Sequence, residues 1–179
     1  MIKTIFLTGL FLPSNLDTEM WEVKKHFFRE YGISPVLALP PVIPLRWSVK
    51  EPAYNEILAI RRYGLPPIAV TECRISGGLI LAGLNRPQAV KAVPIINSEQ
   101  GLFPAGPSVF LGCAGRGINH LSIKPEDLPV TWGRGYTGFT AGCLKIVYSG
   151  EGSFWREGVQ WERRKEGRIK KIISGQDGP

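Results

Sequence analysis

Short apolar runs, punctuated by glycine and proline, repeat along the whole chain, and only two stretches show a helical period. Lys3–Leu12 is almost unbroken and partly β-branched, which predicts a buried opening strand. Ser14-Asn15-Leu16-Asp17 reads as a turn. From Thr18 to Tyr31, Met20, Val23, Phe27 and Phe28 fall at helical spacing with charges between them. A helix is expected there, with Asp17 or Thr18 as N-cap and Gly32 as its stop. Val36–Leu39 begins a strand that runs into a proline-rich segment, and Val49–Arg62 predicts a second helix. Ile68–Ile75 and Gly78–Leu84 predict strands joined by Ser76-Gly77. Ala89–Ile96 is mixed, Pro104–Gly106 is a loop, and Ser108–Leu111 is a short strand. Phe139–Ser149 predicts a long strand, with Leu144, Ile146 and Tyr148 alternating against Lys145 and Val147. Val159–Arg163 reads as a closing or edge strand. The sum is an α+β chain of many short strands and two or three helices.

Composition narrows this picture. A length of 179 residues allows one domain with a real core or two small fused lobes. The 21 glycines and 15 prolines favour turns over helix. Apolar runs throughout exclude a disordered chain, and none reaches the roughly 18–20 residues of a membrane helix. Lys3 with Ile5–Leu12 imitates a short secretory signal, but no small-residue cleavage site follows and Pro13-Ser14-Asn15 reads as a turn. A first strand is the better reading. Cys73, Cys113 and Cys143 lie far apart in apolar stretches. Buried core thiols in a reducing, cytoplasmic setting are expected, rather than a disulfide framework or a zinc site.

Charge adds a partner class. The net charge is +7, and much of the excess lies at Arg156, Arg163, Arg164, Lys165, Arg168, Lys170 and Lys171. Phosphate-bearing partners fit this on electrostatic grounds; a solvated, partly helical or frayed tail fits it too.

Candidate chemistry rests on two matched segments, one intact and one broken. In Gly117-Ile118-Asn119-His120-Leu121-Ser122-Ile123, His120 and Ser122 occupy alternate strand positions and would point the same way. The imidazole suits proton transfer or a charged contact to phosphate, and the hydroxyl can donate to a phosphate oxygen. Lys124 is a third position on that face. In Leu39-Pro40-Pro41-Val42-Ile43-Pro44-Leu45 the corresponding positions are Val42 and Pro44, which offer no acid, base or donor. Arg46, with Trp47, follows the broken segment and could bring a cation and a stacking surface to a cleft mouth. Arg134 and Tyr136, in the glycine-rich stretch Trp132–Gly138, could close over a ligand. Each has a plainer reading as an ordinary strand or loop residue. His26, among Lys24, Lys25 and Arg29, reads as a surface or boundary residue, and Trp155 and Trp161 as packing. No nucleotide-binding glycine fingerprint, carboxylate pair or HExxH motif stands out.

The order and spacing of these segments resemble the 2H phosphoesterases, the LigT or 2′-5′ RNA ligase-like superfamily. Ile5–Pro13 followed by a helix, Leu39–Leu45, Leu65-Pro66-Pro67-Ile68-Ala69-Val70, Ile118–Ile123, and Phe139–Ser149 followed by Trp155 and Trp161 carry the resemblance over roughly residues 3–162. It implies two pseudo-duplicated lobes of antiparallel strands plus helices around a central cleft, spanning 1–162, with 163–179 as a basic tail. It implies a cyclic phosphodiesterase chemistry that uses no metal or cofactor, on RNA ends or 2′,3′-cyclic phosphate nucleotides. His120 and Ser122 would be catalytic; Arg46, Lys124, Arg134 and Tyr136 would bind substrate. No membrane partner is expected, and a protein partner is left open. Members carry two His-x-Thr/Ser motifs; here Val42 and Pro44 stand where the first histidine and threonine would be. The chain is therefore expected to be a weak enzyme, a non-catalytic nucleotide- or RNA-binding module, or a protein-interaction scaffold.

Overall fold

The computed structural model describes residues 1–32, 39–76, 78–93, 101–102, 107–113, 134–149, 159–165 and 168–174. These form β1 (Ile2–Phe11), α1 (Ser14–Tyr31), β2 (Val42–Ser48), α2 (Tyr54–Arg61), β3 (Val70–Ser76), β4 (Leu79–Leu84), α3 (Pro87–Lys91), β5 (Gly101–Leu102), β6 (Val109–Cys113), β7 (Thr140–Ser149), β8 (Val159–Lys165) and β9 (Arg168–Ser174). The chain is α+β, as its pattern predicts. The strands form one antiparallel sheet in the order β3-β4-β6-β2-β1-β7-β8-β9, with β5 paired to β2.

β1 lies at the middle of this sheet, which explains its unbroken apolar character. Leu10 packs into a cluster with Leu16, Met20, Val23 and Phe27 of α1 and Ile57 and Ile60 of α2. Ile5, Leu7 and Phe11 pack into a second cluster with Val42, Phe110, Leu144, Ile146 and Trp161. A strand covered on both faces needs no polar alternation. Each fully buried side chain such as Phe27 or Met20 stabilises the fold by about 1.5–3 kcal/mol.

The helix boundaries differ from those expected. α1 begins at Ser14, four residues before Thr18, with Pro13 at the N-cap in an extended conformation and no side-chain cap. Proline fits there because its fixed φ suits the entry and it carries no N–H to satisfy. Leu16, almost fully buried, draws the supposed turn into the core, and Thr18 donates its hydroxyl to the Ser14 carbonyl. The expected C-terminal stop is present: Gly32 is left-handed at φ 63° and donates its N–H to Phe28 O. α2 starts only at Tyr54, because Pro52 biases the residue before it away from helix. Its first turn is closed by the Ala53 N–H donating to Glu56 Oε2 at 2.9 Å.

Of the residues read from sequence as a tail, 163–165 end β8 and 168–174 form the edge strand β9. The β-branched residues Ile169, Ile172 and Ile173 suit a strand. No described helix is long and apolar enough to cross a membrane.

The ladder between β2 and β6 is very short. Most neighbouring strands share five or more register pairs, whereas β2 and β6 share one, Val42↔Phe110. Among the described residues the sheet therefore has a seam, with β3-β4-β6 on one side and β2-β1-β7-β8-β9 on the other. Val42 lies on that seam.

Candidate functional site

The site is built outward from Val42 and Pro44 on β2. Opposite them on β1 are Phe11 and Gly9, through the pairs Phe11↔Val42 and Gly9↔Pro44. Gly9 is in turn paired with Gly142 of β7. Both glycines are required by close approach. A Cβ at Gly9 would meet the Ile43 carbonyl oxygen at 2.7 Å and Val42 Cγ2 at 2.8 Å. A Cβ at Gly142 would enter the Phe11 ring. The Phe11 ring thus lies over Gly142 and forms a floor beside Val42. Over this ring sits the Arg163 guanidinium of β8, 3.8 Å from its centroid. A cation stacked on an aromatic face keeps its in-plane N–H donors available to an anion.

The charges around this floor are coupled. Burial lowers the Arg163 pKa, Asp17 in the first turn of α1 opposes that shift, and nearby Arg61 reinforces it. Burial raises the Asp17 carboxyl, against the pull of Arg163 and Lys24. Lys24 is fully buried on α1. Its Nζ donates to the Leu39 carbonyl at 2.6 Å and lies 5.1 Å from the Trp21 ring. Burial lowers its pKa to about 7, although Asp17 and Cys113 favour the charged form. Leu39 precedes β2, so this lysine pins α1 to the entrance of the Val42 strand.

Arg46 is not at the mouth of this floor. Strand alternation would place it with Val42 and Pro44. The register instead shifts between Thr8 and Gly9, where Thr8 pairs with Arg46 and Gly9 with Pro44, leaving Leu45 as an extra residue. Such a bulge turns every later side chain to the other face. Arg46 is consequently buried on the helical side, with Nη2 4.0 Å from Glu56 Oε1 of α2. Burial lowers its pKa and Glu56 opposes the shift. Trp47, not Arg46, packs with the Val42 cluster.

Tyr136 is buried and acts as a tie. Its backbone exchanges two hydrogen bonds with Ile68, and its hydroxyl donates to Glu19 Oε2 at 3.0 Å. It belongs to the core cluster under α1 and α2, not to the Val42 cluster. Arg134 is exposed two residues earlier. His120, Ser122 and Lys124 lie outside the described residues, as does Trp155. His26 is half-buried, its ring 6.0 Å from Phe27 and 6.3 Å from Tyr31.

Comparison with protein-family models, curated proteins and solved structures found no match for this chain. The site is therefore read from its own residues.

Arg163 and Lys24 were the residues sequence reading passed over. Leu16, Met20 and Lys24 follow one another at i, i+4 and i+8, which puts Lys24 on the apolar face. Arg163 sits two residues beyond Trp161, on the same strand face.

The described thiols are inert by position. Cys113 and Cys143 are buried, and Cys73 on β3 is half-buried. Burial pushes the Cys73 thiol up to about 12, with Glu72 adding and Arg74 opposing. Thiolate is the reactive form. Iodoacetamide at pH 7.5 is expected to leave Cys73 of the native protein unmodified while it alkylates the denatured chain. Peptide mapping by mass spectrometry checks this; rapid labelling of native Cys73 would contradict its burial.

Proposed function

We propose that this chain is a two-lobed, 2H phosphoesterase-like protein that binds phosphate-bearing ends of RNA or 2′,3′-cyclic nucleotides and turns them over weakly at most. The single observation that carries this reading is the paired placement of Val42 and Pro44 on one face of β2. They lean on the Gly9–Gly142 floor beside the stacked Arg163 guanidinium. The floor offers a cation to a phosphate, while β2 contributes no group able to carry a proton. Transfer on both sides of phosphorus needs two such groups, and loss of one costs on the order of a hundredfold to ten-thousandfold. Binding therefore outlasts catalysis.

The seam at Val42↔Phe110 supports the two-lobed arrangement, with the cleft along it. In this arrangement His120 and Ser122 supply the second half-site. The basic residues of β8 and β9 favour a polyanionic partner. The reducing setting inferred from the cysteines suits a cytoplasmic RNA-end binder.

The test is an oligoribonucleotide ending in a 2′,3′-cyclic phosphate, presented to wild type and His120→Ala. Anisotropy should show binding by wild type and at least a tenfold loss in the variant, with turnover slow or undetectable in both. Equal affinity in the two proteins would reject the cleft.

A further inference from the structure

A second polar site lies on the helical side of the sheet, away from Val42. α2 ends at Arg61, and beyond it a small pocket of about 100 Å³ opens, lined by Arg61, Tyr63, Leu65, Thr137, Phe139 and Ala141 among others. Arg61 is half-buried, and Thr137 is exposed at the pocket's edge. The Arg61 Nε–H donates to the Ala141 carbonyl at 3.2 Å. That bond fixes the plane of the guanidinium, and among the described residues its Nη donors make no hydrogen bond or ion pair. The Arg61 charge lies near enough to Arg163 to help lower the Arg163 pKa, so a second guanidinium lies in the neighbourhood. The carbonyl end of α2 opposes an anion, but an exposed helix terminus contributes only about 0.3–1 kcal/mol.

We propose that this pocket binds a phosphate-sized oxyanion, held by the Arg61 Nη groups and the Thr137 hydroxyl. Size argues for such a ligand. A dry engineered cavity of about 150 Å³ takes up benzene, so a pocket of about 100 Å³ admits a tetrahedral oxyanion but not a nucleobase. An arginine already anchored through Nε presents a paired donor edge suited to two oxygens of one phosphate. Tyr63 and Phe139 also line the pocket. The anion can be free phosphate or the terminal phosphate of a nucleotide whose base lies outside.

Calorimetric titration of the full chain with inorganic phosphate tests this, using wild type, Arg61→Gln and Thr137→Val. The expected result is saturable binding by wild type, weakened at least tenfold in Arg61→Gln and severalfold in Thr137→Val. Should Arg61→Gln fail to fold, Thr137→Val decides alone, since its side chain is exposed. Absence of saturable binding by wild type, or undiminished affinity in Thr137→Val, overturns the site. A parallel titration with uridine 3′-monophosphate separates the sources. Tighter binding than phosphate points to a nucleotide terminus, and equal binding points to the free ion.

Discussion

A Val42→His, Pro44→Thr double variant is expected to cleave an oligoribonucleotide 2′,3′-cyclic phosphate about 10²–10⁴-fold faster than wild type, the span that one general acid–base group contributes. The two positions already share a face, and both lie against the glycine floor of β1 and β7. Threonine is well suited to the strand and restores the backbone N–H that Pro44 lacks. The histidine is the harder change. Val42 is almost fully buried and its Cγ2 already lies where a Gly9 side chain would be. The larger ring will cost about 1–3 kcal/mol in overpacking. A lowered melting temperature with raised activity is therefore the signature anticipated, and His120→Ala added to the double variant must abolish the gain. A folded double variant with no gain would show that this face is not one half of an acid–base pair.

The sequence made some parts of this molecule plain and concealed others for definite reasons. β1, β4 and β7 were legible because central strands are apolar runs that nothing else mimics at that length. The shared face of Val42 and Pro44 was legible because strand side chains alternate strictly. Arg46 was not, because one extra residue at Leu45 reverses the alternation beyond it. The warning was Pro44 itself: a proline in an inner strand cannot donate to the ladder and marks an irregularity. β9 was hidden by its charge, since a run rich in lysine and arginine reads like a solvated tail. The burial of Tyr136 was not legible, because its glycine-rich setting reads as a loop. Its antiparallel bridge to Ile68, nearly seventy positions earlier, has no local signal. The same holds for Arg163, whose stacking on Phe11 depends on two strands meeting through β7. The site's charged members thus come from sheet topology, and its uncharged members from local pattern.

Lys24 should make the stability of the protein climb with alkalinity. A lysine pKa lowered from 10.5 to about 7 by burial means that the folded state resists the proton which the unfolded chain readily takes. Between those two values the unfolded state binds more protons, so stability rises with pH. Above the upper value the amine is neutral in both states and the contribution is complete. As pH falls through the window it is lost, and below about 7 the loss levels off. At about 1.4 kcal/mol per pKa unit, the change across the window is on the order of several kcal/mol for a group that water does not reach. The groups facing it limit the effect without cancelling it. Asp17 and Trp21 approach from α1, the Leu39 carbonyl from the entrance to β2, and Cys113 from β6. Urea unfolding at pH 7.0, 8.0 and 9.0 on wild type and Lys24→Met separates this lysine from the general relief of positive charge. Wild type should gain stability steeply, and the methionine variant, which keeps the unbranched stem, should gain little. Parallel slopes in the two proteins would mean that the buried amine stays protonated throughout, held by Asp17 and the Leu39 carbonyl. The Lys24 Nζ–Leu39 carbonyl bond thus couples the protonation of this buried amine to the hold of α1 on the entrance to β2.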